Sequence, residues 1–318
     1  MDTAVRTTPP ALTSRHYGAV NWLGLQTLVW REIRRFLKVG AQTVFAPLIQ
    51  TLLFMLVFSL VRQGDWPGTT RAYADGLAAG LVMMSILSNA FQNASSSLVI
   101  AKVQGNSVDF LMPPLSALEL TIAFIVGAAA RGLLVGFASL IAVAFLANIM
   151  PVNPLAALYY AIVASVIFGA IGLLGGIWAD KFDHLAAVTN FIIVPLTFLS
   201  GTFYSTSILP EPVRTISHYN PVFSLIDGFR YGFIGHHDAP LWTGAILTGA
   251  LALVLSYASW AMIKSGYRLR SLGARGDRRR HPGVPSRPTP QTQRKRHRAR
   301  CFCSRNDSIG YLEQVSMD

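Results

Sequence analysis

LELTIAFIVGAAARGLLVGFASLIAVAFLA, Leu118 to Ala147, carries only two charged side chains, Glu119 near its start and Arg131 near its middle. A helix needs about 20 residues to cross about 30 Å of hydrocarbon, so this stretch is long enough to span a bilayer. Working outward, five more stretches meet the same length: Ala41–Val61, Gly76–Ile100, Leu155–Ala179, Leu185–Tyr204 and Leu241–Ile263. None of those five contains a charged side chain. The expected fold class is all-α, a polytopic membrane protein with six transmembrane helices. Gly76–Ile100 is the weakest by hydropathy, because Asn89, Gln92, Asn93 and Ser95 to Ser97 interrupt it. A helix with that many amides is expected to face other helices rather than lipid.

Composition agrees. The 318 residues are 52% hydrophobic and 13% charged, with a mean hydropathy of +0.43, whereas a soluble domain carries about 25% charged residues. The net charge of +12 is uneven: eleven Lys and Arg against four acids lie after Ser271. It therefore gives no reason to expect a nucleic-acid partner. Cys301 and Cys303 are too few for a structural zinc site and form no disulfide framework. The first twenty residues, expected to be disordered, hold no apolar core like that of a signal peptide, so the first span is expected to direct insertion. Residues 271–318 are rich in Arg, Pro, Ser and Thr and poor in aliphatic side chains, and are expected to be a disordered basic tail.

Lys and Arg at the span ends set the orientation. Arg31, Arg34, Arg35 and Lys38 precede the first span, and Lys264, Arg268 and Arg270 follow the last, which places both termini in the cytoplasm. Within residues 21–40, Trp22, Leu25, Val29, Ile33 and Phe36 share one helical face, with the four cations opposite. That pattern fits a helix lying in the inner membrane interface, and equally a cytosolic amphipathic helix packed on protein; adjacency to a span favours the former. The membrane domain proper is expected over 41–266.

Several chemistries are missing. No G-x-x-x-x-G-K-[ST] occurs, so the chain has no phosphate-cradling loop of its own. No Asp, Glu or His lies near the middle of a span, where proton-coupled carriers hold a titrating group. No nucleophile constellation is present, so catalytic residues are not expected. His236, His237 and Asp238 are adjacent in an outer loop and lack further ligands, so no metal site is expected. Arg131 is the single ionisable residue well inside a span. It lines a path for an anionic headgroup, or it serves as a structural or snorkelling side chain; with Asn89 and Asn93 it forms the candidate pathway set.

Two segments between spans are too elaborate for simple turns. In GNSVDFLMPPLSALEL (Gly105–Leu120), Val108, Leu111 and Met112 share one face of a short helix and Asp109 lies opposite. Pro113 and Pro114 stop it, and Ser116 with Glu119 has the spacing of a capping box. A rigid apolar face at the cytoplasmic surface suits docking into a groove on another protein; the alternative is a loop packed on its own bundle. On the outer side, the fifth span reaches Pro195, Gly201 and Tyr204, then a small-polar run. Asn220-Pro221 opens a second apolar stretch, through Arg230, too short to cross. Such backbone is expected to form short re-entrant helices covering an exit path.

Three stretches resemble the permease subunits of ABC-2 type exporters, such as the nodulation-factor, polysaccharide and drug export permeases. They are GLVMMSILSNAFQNASSSLVIAKVQGNSVDFLMPPLSALEL, DKFDHLAAVTNFIIVPLTFLSGTFYSTSILP and HYNPVFSLIDGFRYGFIG. The resemblance covers about Gly24 to Arg270. It implies a non-enzymatic, six-span half-permease in the bacterial inner membrane that pairs with a second copy and with a separate ABC ATPase. ATP and Mg would sit on that partner, with no cofactor bound by this chain. It also implies that Lys102, Gln104, Gly105, Asp109, Phe110, Leu111, Met112, Pro113 and Pro114 belong to the ATPase-coupling loop, and that Pro195, Gly201, Tyr204, Asn220, Pro221 and Arg230 belong to the outer re-entrant segment. Where the family places an acid shortly after the loop glycine, this chain has Asn106 and Ser107, with Asp109 alone. The implied function is ATP-driven export, by alternating access, of an amphiphile such as a glycan-lipid or drug-like molecule. The alternative is a channel or secondary carrier acting without an ATPase.

Overall fold

A computed structural model describes residues 20–63, 71–105, 115–147, 151–202, 220–235 and 240–267, which form eight helices and no strand. They are α1 (Trp22–Lys38), α2 (Gly40–Gln63), α3 (Arg71–Val103), α4 (Ala117–Ala147), α5 (Pro154–Trp178), α6 (Phe182–Thr202), α7 (Pro221–Ile234) and α8 (Leu241–Lys264). Among the described residues, α2, α4, α5, α6 and α8 are long and apolar enough to cross a membrane. The amides and serines of α3 keep it out of that set, although its 33 residues make it the longest helix described. The reading of the polar stretch as a helix that faces protein holds for Asn89, Asn93, Ser95 and Ser97, which are buried, whereas Gln92 is exposed.

The bundle is organised around α3. Its Val82, Leu87 and Phe91 join Tyr160, Ile167 and Phe168 of α5 and Leu225, Ile226 and Phe229 of α7 in one apolar cluster. Nearer its C-terminus, Ala94 and Leu98 meet Phe124 and Ala128 of α4, Leu173 and Ile177 of α5, and Leu28 of α1 in a second. Small residues let the backbones approach: a Cβ at Gly172 of α5 would collide with the carbonyl oxygen of Phe91, the kind of close packing that joins helices where lipid removes the hydrophobic drive. By contrast, α2 and α8 turn large apolar side chains outward, including Phe45, Ile49, Leu53, Trp242 and Leu253. So much exposed apolar surface suits lipid or another protein chain, not water.

The first helix is amphipathic, and most of its expected apolar face packs inward: Phe36 is buried and Leu25 and Val29 lie against the second cluster, joined by Leu28 and Glu32. Leu28, Glu32 and Phe36, spaced by four, are buried against the bundle, while Trp22 is 73% exposed. Arg35, expected on the outward cationic face, is drawn inward by Glu32 at 3.1 Å. The polar side chains of α3 supply a destination for that pair that the helix's own periodicity does not reveal.

The path of α6 is broken twice. Wide i→i+5 turns occupy Thr189–Ile193 and Phe198–Thr202, on either side of Pro195. Proline has no amide hydrogen to give the preceding turn, and hydroxyls take up backbone carbonyls around it: Thr197 Oγ1 donates to Val194, Ser200 Oγ to Leu196 and Thr202 Oγ1 to Thr197. Gly201 ends the helix with φ +81°, a conformation that glycine adopts without a steric penalty.

Candidate functional site

A groove of about 600 Å³ lies between α2, α3 and α4. Its α2 wall is built from positions four apart, Gln42, Ala46 and Gln50, with Thr43, Pro47, Thr51 and Phe54 beside them. Its α3 wall repeats with the same period through Leu81, Ser85, Ser88, Asn89, Gln92 and Ser96, and α4 contributes Arg131. Helical spacing thus gathers the polar residues of two apolar-looking segments into one stripe. The stripe is cross-braced: the hydroxyls of Thr51 and Ser85 are 3.0 Å apart, and Asn89 Nδ2 donates to the Ser85 carbonyl at 3.0 Å. Among the described residues the lining includes no Asp or Glu. The groove runs from the α1–α2 elbow at Val39 to the depth of Arg131, midway along the 31 residues of α4.

Arg131 Nε is enclosed and has no hydrogen-bond partner, and no ion pair to Arg131 occurs among the described residues. A charged group at a helix centre in a bilayer costs about 2.5–3.5 kcal/mol on insertion scales, so it is retained where it faces protein or a water-filled path. The charged side chain that acts on it is another cation, Arg35. The two terminal nitrogens of that side chain are engaged, although its Nε is enclosed without a hydrogen-bond partner. Nη2 donates to the Asn93 carbonyl at 2.7 Å and to Asn93 Oδ1 at 3.0 Å, Nη1 donates to Ser96 Oγ at 3.3 Å, and Glu32 balances the charge. Burial pulls the Arg35 pKa below its ordinary value, and the Glu32 carboxylate opposes the shift. Ser97 Oγ donates to Glu32 Oε1 at 2.9 Å, which holds the acid in place.

The candidate pathway residues therefore divide. Asn89 and Arg131 share the groove, whereas Asn93 turns to Arg35 and tethers α1 to α3. Sequence reasoning missed Glu32 and the α2 residues Gln42 and Gln50. The spacing Leu28–Glu32–Phe36 was the available signal for the first, and the four-residue repeat across α2 for the others.

At the C-terminal end of α3, Lys102 Nζ donates to the carbonyls of Ile177 and Ala179 and lies 3.9 Å from Asp180. The last turn of α3 thereby caps the C-terminus of α5, where cations are favoured. Gln104 and Gly105 are exposed beyond it, and Gly105 adopts φ +73°. Across residues 106–114, which lie outside those described, the chain resumes at the expected capping box: Ser116 N donates to Glu119 Oε2 at 2.6 Å, and Glu119 N to Ser116 Oγ at 3.3 Å. Asp109, Phe110, Leu111, Met112, Pro113 and Pro114 belong to that undescribed segment.

On the opposite side, Asn220 caps α7 by accepting from Val222 N at 3.0 Å, with Pro221 at the first helical position. Asn220 Nδ2 also donates to Ser200 Oγ at 3.1 Å, and Arg230 Nη2 to the Gly201 carbonyl at 2.6 Å. The two ends of the broken segment are thus joined. With 14 residues, α7 spans about 21 Å at 1.5 Å per residue, short of a bilayer. Gly228 lies against Tyr160 and Gly232 against Ala157, so α7 runs antiparallel to α5, its C-terminus held by Asn153 N donating to the Gly232 carbonyl at 2.8 Å. Tyr204 and the His236–Asp238 cluster fall outside the described residues, among which no group of three His, Cys, Asp or Glu could hold a metal.

Comparison with known proteins gives a consistent result. The sequence pattern of the ABC-2 type transporter family matches residues 24–234. The chain is 34% identical over 258 residues to the inner membrane transport permease YadH of Escherichia coli (strain K12), covering 79% of this chain and 98% of that protein. It is 26% identical over 255 residues to nodulation protein J of Bradyrhizobium diazoefficiens, covering 77% and 94%. It is also 26% identical over 245 residues to nodulation protein J of Neorhizobium galegae, covering 72% and 88%.

Proposed function

Because this chain belongs to the ABC-2 type transporter family, as a membrane permease built of apolar helices, we propose that it is the conduit of an ATP-driven exporter whose motor is a separate ATPase subunit. In this reading α3 is the sixth membrane span, α1 lies along the inner interface, α7 is a re-entrant helix of the outer half, and both termini are cytoplasmic. The membrane is the bacterial inner membrane, as the name of the E. coli relative supports for that protein. Two copies of the chain pair, and residues 102–115 dock on the ATPase.

The single observation that carries the reading is the groove. An enclosed, unpaired Arg131 and a stripe of amides and hydroxyls are untenable against lipid, and a translocation path needs both. ATP binding on the partner would draw the two coupling segments together, closing the inner mouth near Val39 while the outer side opens. The cargo is an amphiphile, because the groove joins a polar wall to apolar side chains such as Phe54, Leu81 and Met84.

A carrier acting without an ATPase is favoured by one feature, Asp227, a buried acid on α7. Reconstitution separates the readings. The chain is placed in proteoliposomes with and without an ABC ATPase subunit that co-purifies with it, and uptake of a fluorescent amphiphile into inverted vesicles is followed. Accumulation only with ATPase, ATP and Mg is the expected result. Uphill accumulation by the chain alone, driven by a proton gradient, would overturn the proposal.

A further inference from the structure

The groove holds a positive charge that no described residue pairs with, and we propose that Arg131 is the binding site for an oxyanion (phosphate, sulfate or carboxylate), carried as the head of an amphiphile or as a free ion. The inference rests on reading the groove as part of the export path, and it adds the charge of the cargo to that reading.

Three observations converge. Arg131 Nε is enclosed without a hydrogen-bond partner, and a guanidinium presents five donors in a planar fork that matches two oxygens of an oxyanion. The described lining has no carboxylate, so no internal acid competes for the site. Glu32, the nearby acid, is taken up by Arg35 at 3.1 Å and by Ser97 at 2.9 Å, so the pair offers Arg131 no counter-ion. An acid at the position of Ser88 or Gln92 would have made the site self-contained; the chain has neutral side chains there. A volume of about 600 Å³ is within the range of sites that enclose small ligands. It admits a headgroup with the first part of its chain, and Phe54 and Met84 supply apolar walls for the latter.

The test uses the full-length chain, purified in a maltoside detergent and titrated calorimetrically with octyl phosphate, octyl glucoside and inorganic phosphate. Octyl phosphate is expected to bind saturably and octyl glucoside not to. Arg131→Gln should weaken octyl phosphate by roughly tenfold or more, and Arg131→Lys, which keeps the charge and loses the fork, by less. Ser88→Asp places an acid in the same groove and should weaken binding while Arg131 remains. It carries the test if Arg131→Gln does not fold. Displacement of octyl phosphate by an equal concentration of inorganic phosphate identifies a free ion as the ligand; no displacement identifies an amphiphile head. Equal octyl phosphate affinity in wild type, Arg131→Gln and Ser88→Asp overturns the inference, as does equal binding of octyl glucoside. Stimulated ATP hydrolysis in the reconstituted complex is scored separately, so loss of anion binding with intact coupling leaves the exporter reading standing.

Discussion

Glu119 and Asn21 stand 98 residues apart in the chain, and the Glu119 carboxylate accepts a hydrogen bond from the Asn21 amide at 2.6 Å. The same carboxylate closes the capping box with Ser116. One buried acid thus serves the start of α1 and the start of α4, at the point where the chain returns from the segment assigned to ATPase docking. A movement of that segment would be felt by both helices together.

Replacing Glu119 with Ala removes the acceptor for two amides at helix starts. Each stranded donor costs about 1–3 kcal/mol when buried, so the unfolding midpoint in detergent should fall clearly. Glu119→Gln keeps one carbonyl oxygen and should recover part of the loss. An unchanged midpoint in the Ala variant would show that water replaces the carboxylate at no penalty.

The pair formed by Glu32 and Arg35 should behave as a unit. Glu32→Gln leaves Arg35 without its counter-charge, and Arg35→Gln leaves a buried carboxylate. A double-mutant cycle read by unfolding should give a coupling of about 0.5–3 kcal/mol, the double variant losing less than the sum of the singles. Strict additivity would mean that the two charges of α1 do not stabilise each other in the bundle.

Gly172 faces the Phe91 backbone with no space for a methyl group. Gly172→Ala should push α5 from α3 and cost about 1–3 kcal/mol. The fraction of monodisperse protein in gel filtration would report it. Gly40→Ala, where an added Cβ meets nothing within 4 Å, is the matched control.

Phe110→Ala with Met112→Ala should lower permease-stimulated ATP hydrolysis by roughly tenfold, about 1.4 kcal/mol of activation or binding free energy, while insertion and pairing persist. Full stimulation in the double variant would remove the docking role from this segment.

How much was legible depended on whether a residue's partner was near in sequence. The Ser116–Glu119 box and the Asn220-Pro221 helix start were readable because their hydrogen bonds close within three residues. The Lys102 brace on α5 was not, since it reaches carbonyls 75 and 77 positions away. Arg131 was conspicuous as a charge inside an apolar run, but whether it had a counter-ion depended on where Arg35 and Glu32 lay. Asn93 sits one helical turn from Asn89 and still faces a different partner, because α1 approaches one flank of α3 and α2 another.

From its residues alone this chain could be known as an all-helical membrane protein, with long uncharged segments and neither a phosphate-binding loop nor a catalytic cluster. Those properties follow from local composition and spacing, which act along a single helix. Tertiary packing decided which polar residues became struts and which became a lining. The seating of the Glu32–Arg35 pair of α1 on Asn93 and Ser97 of α3, and the isolation of Arg131 among the described residues, are facts about distances between helices, and in a low-dielectric interior such distances determine whether a charge is structural or available to a ligand.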